Sequence, residues 1–85
     1  MPEERIGRVT EYFARIGVAG IQITDGTLRV GDTIHIKGHT TDFQQTVDSI
    51  QVEHRAVQEA GPGTFIGVKV RDRVREHDVV YKVVG

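Results

Sequence analysis

Gly26-Thr27-Leu28-Arg29-Val30-Gly31-Asp32-Thr33-Ile34-His35-Ile36-Lys37-Gly38 combines turn and strand signals within thirteen residues. Asp25-Gly26 opens it with a turn signal, because glycine tolerates positive φ. Leu28 to Asp32 reads as a short apolar connection closed by a second turn. Thr33 to Lys37 then alternates, with Ile34 and Ile36 on one face and His35 and Lys37 on the other. Two turns and a strand in so short a run predict a chain of short strands with little space for helices.

The same period of two extends outward from this stretch. Val18 to Thr24 places Ala19, Ile21 and Ile23 inward, and Gly17 marks the turn before it. Arg5 to Ala14 is the first expected strand, with Gly7 and Val9 on one face; the adjacent Tyr12 and Phe13 break its alternation and predict a bulge there. Downstream, Gly38 to Asp42 is a polar loop. Phe43 to Glu53 is extended, but Val47, Ile50 and Val52 are spaced so unevenly that a bulge or a switch of face is required. Arg55 to Ala60 has the length of a helical turn, yet Gly61-Pro62-Gly63 stops it at once, so a turn or loop is expected. Phe65 to Val70 alternates again, with Ile66, Val68 and Val70 inward and Gly67 leaving space opposite. Val79 to Val84, apolar on both sides except Lys82, is a terminal strand suited to closing a barrel. The expectation is an all-β fold: a small, six-stranded, antiparallel, closed barrel, one domain over residues 1–85 with its core at about 5–84.

At 85 residues the chain has room for one core. It contains no cysteine, which removes thiol chemistry and cysteine-based zinc sites and fits a reducing compartment. Met1-Pro2-Glu3-Glu4-Arg5 is polar and acidic, and no run approaches the ~18 apolar residues of a membrane span. The expectation is a cytoplasmic protein, neither secreted nor inserted in a membrane. Eleven Lys and Arg against twelve Asp and Glu leave a formal charge of −1. There is no bulk attraction to nucleic acid, so any RNA site must be a local patch.

Three stretches carry a resemblance in order and spacing: Ile6-Gly7-Arg8-Val9, the Gly26 to Gly38 run, and Val57-Gln58-Glu59-Ala60-Gly61-Pro62-Gly63-Thr64-Phe65-Ile66-Gly67-Val68. Together they resemble the β-barrel second domain of translation GTPases such as elongation factor Tu and initiation factor two. The loop Gly38 to Val47, with Asp72-Arg73-Val74-Arg75-Glu76, looks closer still to the barrel at the carboxyl end of collagenase-like peptidases, a family that includes RNA-hydroxylation enzymes. The chain departs from that pattern in lacking the catalytic domain, and His77 sits where such turns often carry Gly before Asp78. The resemblance implies a free-standing accessory module that docks on RNA, ribosome or protein while the chemistry belongs to other domains.

Several chemistries are set aside on the residues themselves. No Gly-x-x-x-x-Gly-Lys-Ser/Thr stretch is present, so nucleotide hydrolysis is not expected. His35 and His39 are four apart with Asp42 nearby, but one lies on a strand and the other in a loop, so the spacing confers no shared face. No metal site is expected, and His35, His39, His54 and His77 read as solvated. Nothing presents Ser49 on a sharp elbow beside a base, so neither catalysis nor a cofactor is expected.

The candidate binding group is Lys37, His39, Thr40, Thr41, Asp42 and Phe43, which combines a cation, hydroxyls and an aromatic on one loop. RNA recognition uses that mixture for phosphate, 2′-OH and base stacking. The structural alternative is that Asp42 and the threonines make turn bonds to backbone while Phe43 plugs a barrel end. Arg71, Arg73 and Arg75 alternate, so in an extended segment they form a basic stripe; Asp72, Glu76 and Asp78 among them suit a salt-bridged, solvated surface equally. Tyr12, Phe13 and Phe65 read as core or barrel-end residues. The functional expectation is a non-catalytic module docking on RNA or a ribonucleoprotein. Its alternative is an assembly module partnering a separate peptidase-like or RNA-modifying catalytic subunit.

Overall fold

The computed structural model describes residues 2–84. Met1 and Gly85, the ends of the expected 1–85 span, lie outside the described residues. Ten strands follow one another: β1 (Glu3–Phe13), β2 (Val18–Ile23), β3 (Leu28–Arg29), β4 (Thr33–Lys37), β5 (Asp42–Thr46), β6 (Ile50–Val52), β7 (Arg55–Val57), β8 (Glu59–Ala60), β9 (Phe65–Lys69) and β10 (Val79–Val83). Eight form an antiparallel sheet in the order β5-β4-β10-β1-β2-β9-β6-β7, and β3 pairs with β8 in a separate two-stranded ladder.

The strand order corrects the expected barrel of six strands closed by its own ladder. The all-β class holds, but the sheet ends at β5 and β7 and is not closed. The extra strands arise where the sequence period fails. Phe43 to Glu53 is not one extended run: it breaks at Val47-Asp48-Ser49 into β5 and β6. Arg55 to Ala60, expected as a turn or loop, supplies β7 and β8. Glu53 and His54, at φ 51° and 66°, form the two-residue turn between β6 and β7, the positive-φ pair of a type I′ hairpin. Such a turn is usually signalled by Asn-Gly, and its absence hid the hairpin.

At the open seam a side chain replaces the ladder. Gln45 Nε2 on β5 donates to the Lys69 carbonyl at 2.7 Å, and its Oε1 accepts from the Arg71 amide at 2.9 Å. One glutamine amide offers the donor and acceptor that a strand neighbour would offer. It ties the edge strand to the end of β9, so the sheet curls around its apolar face.

That face is the core. Ile6, Val9, Ala19, Ile21, Ile23, Ile34, Ile36, Ile66, Val68 and Val80 are all at most 3% exposed. The residues on β2, β4 and β9 follow the alternation, whereas on β1 the adjacent Ile6 and Gly7 are both buried where the register shifts. Leu28, fully buried, and Ala60 face each other across the β3–β8 pair and join the same cluster. Asp32 closes the turn that follows β3: its Oδ2 accepts from the Arg29 amide at 2.8 Å. Gly26 sits at φ 70°, as its turn requires. The β1 register shifts between Arg5 and Gly7 and again between Val9 and Glu11, so the bulges lie upstream of the expected Tyr12-Phe13 position.

Candidate nucleic-acid or partner interface

The β4–β5 hairpin presents the loop Gly38 to Thr41. Its base is the Lys37–Asp42 pair, and the Gly38 amide donates to the Thr41 carbonyl at 2.7 Å. Gly38 packs on the carboxylate of Asp78, with which any Cβ at this position would overlap. Asp78 is 4% exposed; its Oδ2 accepts from the Arg75 amide at 2.9 Å. The residue therefore closes the turn at residues 75–78 and braces the loop from below.

Residues distant in sequence converge on this hairpin. The Arg71 guanidinium lies 5.7 Å from the centroid of the Phe43 ring, a cation–π contact. Arg75 Nε donates to Thr40 Oγ1 at 3.0 Å. The Arg71–Arg75 segment is thus fastened to the loop at both ends, with Arg73 between them. It is irregular rather than a strand, and Val74 within it is buried, so the expected extended stripe is replaced by a segment wrapped against the hairpin. Lys37, His39, Thr40, Asp42, Arg71, Arg73 and Arg75 are exposed. Thr41 and Phe43 are not, at 5% and 9%. Phe43 belongs to the core cluster, as the structural alternative held, and Arg71 covers its outer side.

His35 is the residue that sequence reasoning missed. It is not solvated: its side chain is 14% exposed, Nδ1 lies 2.7 Å from Glu3 Oε2, and Nε2 lies 2.5 Å from Asp42 Oδ1. The hydrogen bond to Asp42 is the main cause of a raised imidazole pKa, which partial burial opposes and Glu3 reinforces. The same bond lowers the pKa of Asp42, helped by the nearby Lys37 charge. Asp42 stands diagonally across the ladder from His35, since Lys37 faces Asp42 and His35 faces Gln44. That hairpin register was the signal available in the sequence. Both imidazole nitrogens are engaged by carboxylates, and among the described residues no group of three or more His, Asp or Glu is arranged to hold a metal ion.

Phe13 and Phe65 also depart from expectation. They are 44% and 60% exposed, and Ile16 is 62% exposed, whereas Tyr12 packs half-buried against the core.

Elongation factor Tu domain 2 is the family whose model matches the chain, over residues 17–79. Two Porphyromonas gingivalis proteins named collagenase are each 38% identical to the chain over 78 residues, which is 91% of this chain and 22% or 19% of theirs. An uncharacterised protease of Methanocaldococcus jannaschii is 42% identical over 77 residues, 89% of this chain and 19% of its own length. The chain therefore spans about a fifth of the length of these relatives. Among solved structures, the C-terminal domain of a Geobacillus thermoleovorans protein assigned as a U32 peptidase superposes with a TM-score of 0.88 at 24% identity, covering 95% of this chain and 93% of that one. Its selenomethionine variant gives 0.85, covering 91% and 96%. These two likenesses concern the fold.

Proposed function

The chain belongs to the elongation factor Tu domain 2 family, and from that premise we propose that it is a non-catalytic docking module that holds RNA or a ribonucleoprotein by its phosphates. The observation that carries the reading is the convergence of Arg71 and Arg75 on the β4–β5 hairpin, which groups Lys37, Arg71, Arg73 and Arg75 about it. On a chain of net charge −1 such a local grouping supports phosphate binding. Arg71 also pairs with Asp72 at 3.4 Å, which leaves Lys37 and Arg73 as the cations of the group with no side-chain partner among the described residues. Recognition is through the sugar–phosphate backbone rather than base stacking, because Phe43, the aromatic of the hairpin, is buried and covered by Arg71. His39 and the Thr40 hydroxyl supply hydrogen bonds at the rim.

The test is binding to fluorescently labelled tRNA across a salt series. Four phosphate contacts predict a log–log slope of about −3, and Arg73→Ala is expected to reduce it by about one contact's share. Absence of saturable binding at low salt, or a slope unchanged in a Lys37→Ala, Arg73→Ala, Arg75→Ala variant, overturns the reading.

A second reading is favoured by the protease relatives, of which this chain matches one fifth: the module docks on a peptidase-like catalytic polypeptide through apolar surface. Such an interface responds far less to salt. Co-elution in size-exclusion chromatography with the remainder of the M. jannaschii protease, retained at high salt, is its expected mark. Separate elution counts against it.

A further inference from the structure

Gly20 on β2 and Gly67 on β9 face each other directly in the ladder, and Glu11 and Gln51 extend the row onto β1 and β6. Glycine inside a strand costs about 0.5–1 kcal/mol relative to alanine, so a paired couple needs a reason. The backbone supplies none, for neither residue has a positive φ. Packing supplies little at Gly20, where a Cβ would meet Thr10 Oγ1 at 3.4 Å, an ordinary contact; at Gly67 a Cβ would press on the Val18 side chain at 3.3 Å, a tight contact that this side chain must yield to. What the two glycines do create is a bare floor on the outer face of the sheet. Phe65 bounds it on one side, and Phe13, Ile16 and Val18 bound it on the other, leaving an open surface groove of about 450 Å³ between them. That volume lies within the range of pockets that take compact apolar groups.

We infer that this glycine-floored groove receives an aromatic side chain of a partner polypeptide, flanked in the partner's sequence by lysine or arginine. A flat ring fits where side chains are missing from two neighbouring strands and packs against the exposed faces of Phe13 and Phe65. The basic flank follows from the rim, where Glu11 and Glu53 line the groove and form no ion pair among the described residues. None of these residues belongs to the phosphate-docking group. The inference rests on the second reading, docking on a protein, and gives that reading its surface.

The experiment is selection from a random peptide library displayed on phage, followed by titration of the enriched synthetic peptides. Enriched peptides are expected to carry one aromatic residue beside lysine or arginine. Gly20→Val fills the floor and suits a strand, so it is expected to keep the melting temperature while weakening peptide binding at least tenfold; Phe65→Ala is expected to weaken it similarly. Peptides without an aromatic, or binding unchanged in both variants, overturn the groove while leaving protein docking at another surface intact. No enrichment overturns the groove and removes its support for the second reading.

Discussion

His35, clasped between Glu3 and Asp42, couples the candidate loop to pH. Its raised pKa means that the clasp contributes fully below the ordinary value of 6.5 and is lost as pH rises through the raised one. Asp42 has a lowered pKa, so its contribution is present above the ordinary 3.8 and is lost as pH falls through the lowered value. The two shifts are one hydrogen bond seen from either end and are not added. Because Asp42 is exposed, solvent screening keeps its effect small. Thermal melts are therefore expected to peak in the window between those ordinary values and to decline gently on either side. His35→Gln is expected to flatten the alkaline decline, and a decline of the same size in the variant contradicts the assignment. His77 is a second residue with a specific cost. It stands at φ 77°, a left-handed conformation that penalises a side chain, at the position where the family resemblance leads one to expect glycine. His77→Gly is expected to stabilise the chain by about 0.5–1 kcal/mol in urea unfolding, after the larger unfolded-state entropy of glycine is offset. A loss of stability contradicts this.

At the scale of elements, the strands with strict alternation were legible and those made by turns and partners were not. Ala19, Ile21 and Ile23 on β2, Ile34 and Ile36 on β4, and Ile66 and Val68 on β9 are buried as their spacing indicated. The β6–β7 hairpin was illegible because Glu53-His54 makes a positive-φ turn without glycine or asparagine. β3 and β8, two residues each, are too short to show any period, and only their pairing makes them strands. Phe13 and Phe65 were misplaced because large apolar residues are assigned inward by default, whereas their positions on β1 and β9 point to the solvent side. The candidate loop itself was legible as a loop, but the arrival of Arg71 and Arg75 on it depends on a long-range wrap that spacing does not encode. The seam held by Gln45 was equally invisible. Removing its two hydrogen bonds by Gln45→Ala is expected to cost about 1–3 kcal/mol and to raise amide exchange in β5 ahead of β4. Uniform exchange across both strands contradicts a side chain acting as the seam.

The whole molecule carries two separate faces: a hairpin that gathers Lys37 and the Arg71–Arg75 segment, and an apolar outer groove over Gly20 and Gly67. A scaffold whose buried side chains form one cluster can carry both, because the core positions inward residues while alternate residues remain free for binding. The proposed phosphate contacts are electrostatic and salt-sensitive; the groove is apolar and much less so. The proposed phosphate docking and the proposed protein docking fall on different faces, so the location of RNA contact is the deciding observation. The measurement that tests the central proposal most directly is an amide NMR titration of the isotope-labelled chain with tRNA at low salt. The predicted result is a set of shifted signals confined to residues 37–42 and 71–76, reversed by added salt, with Gly20 and Gly67 unmoved. Shifts confined to the groove, or none at any RNA concentration, would contradict it.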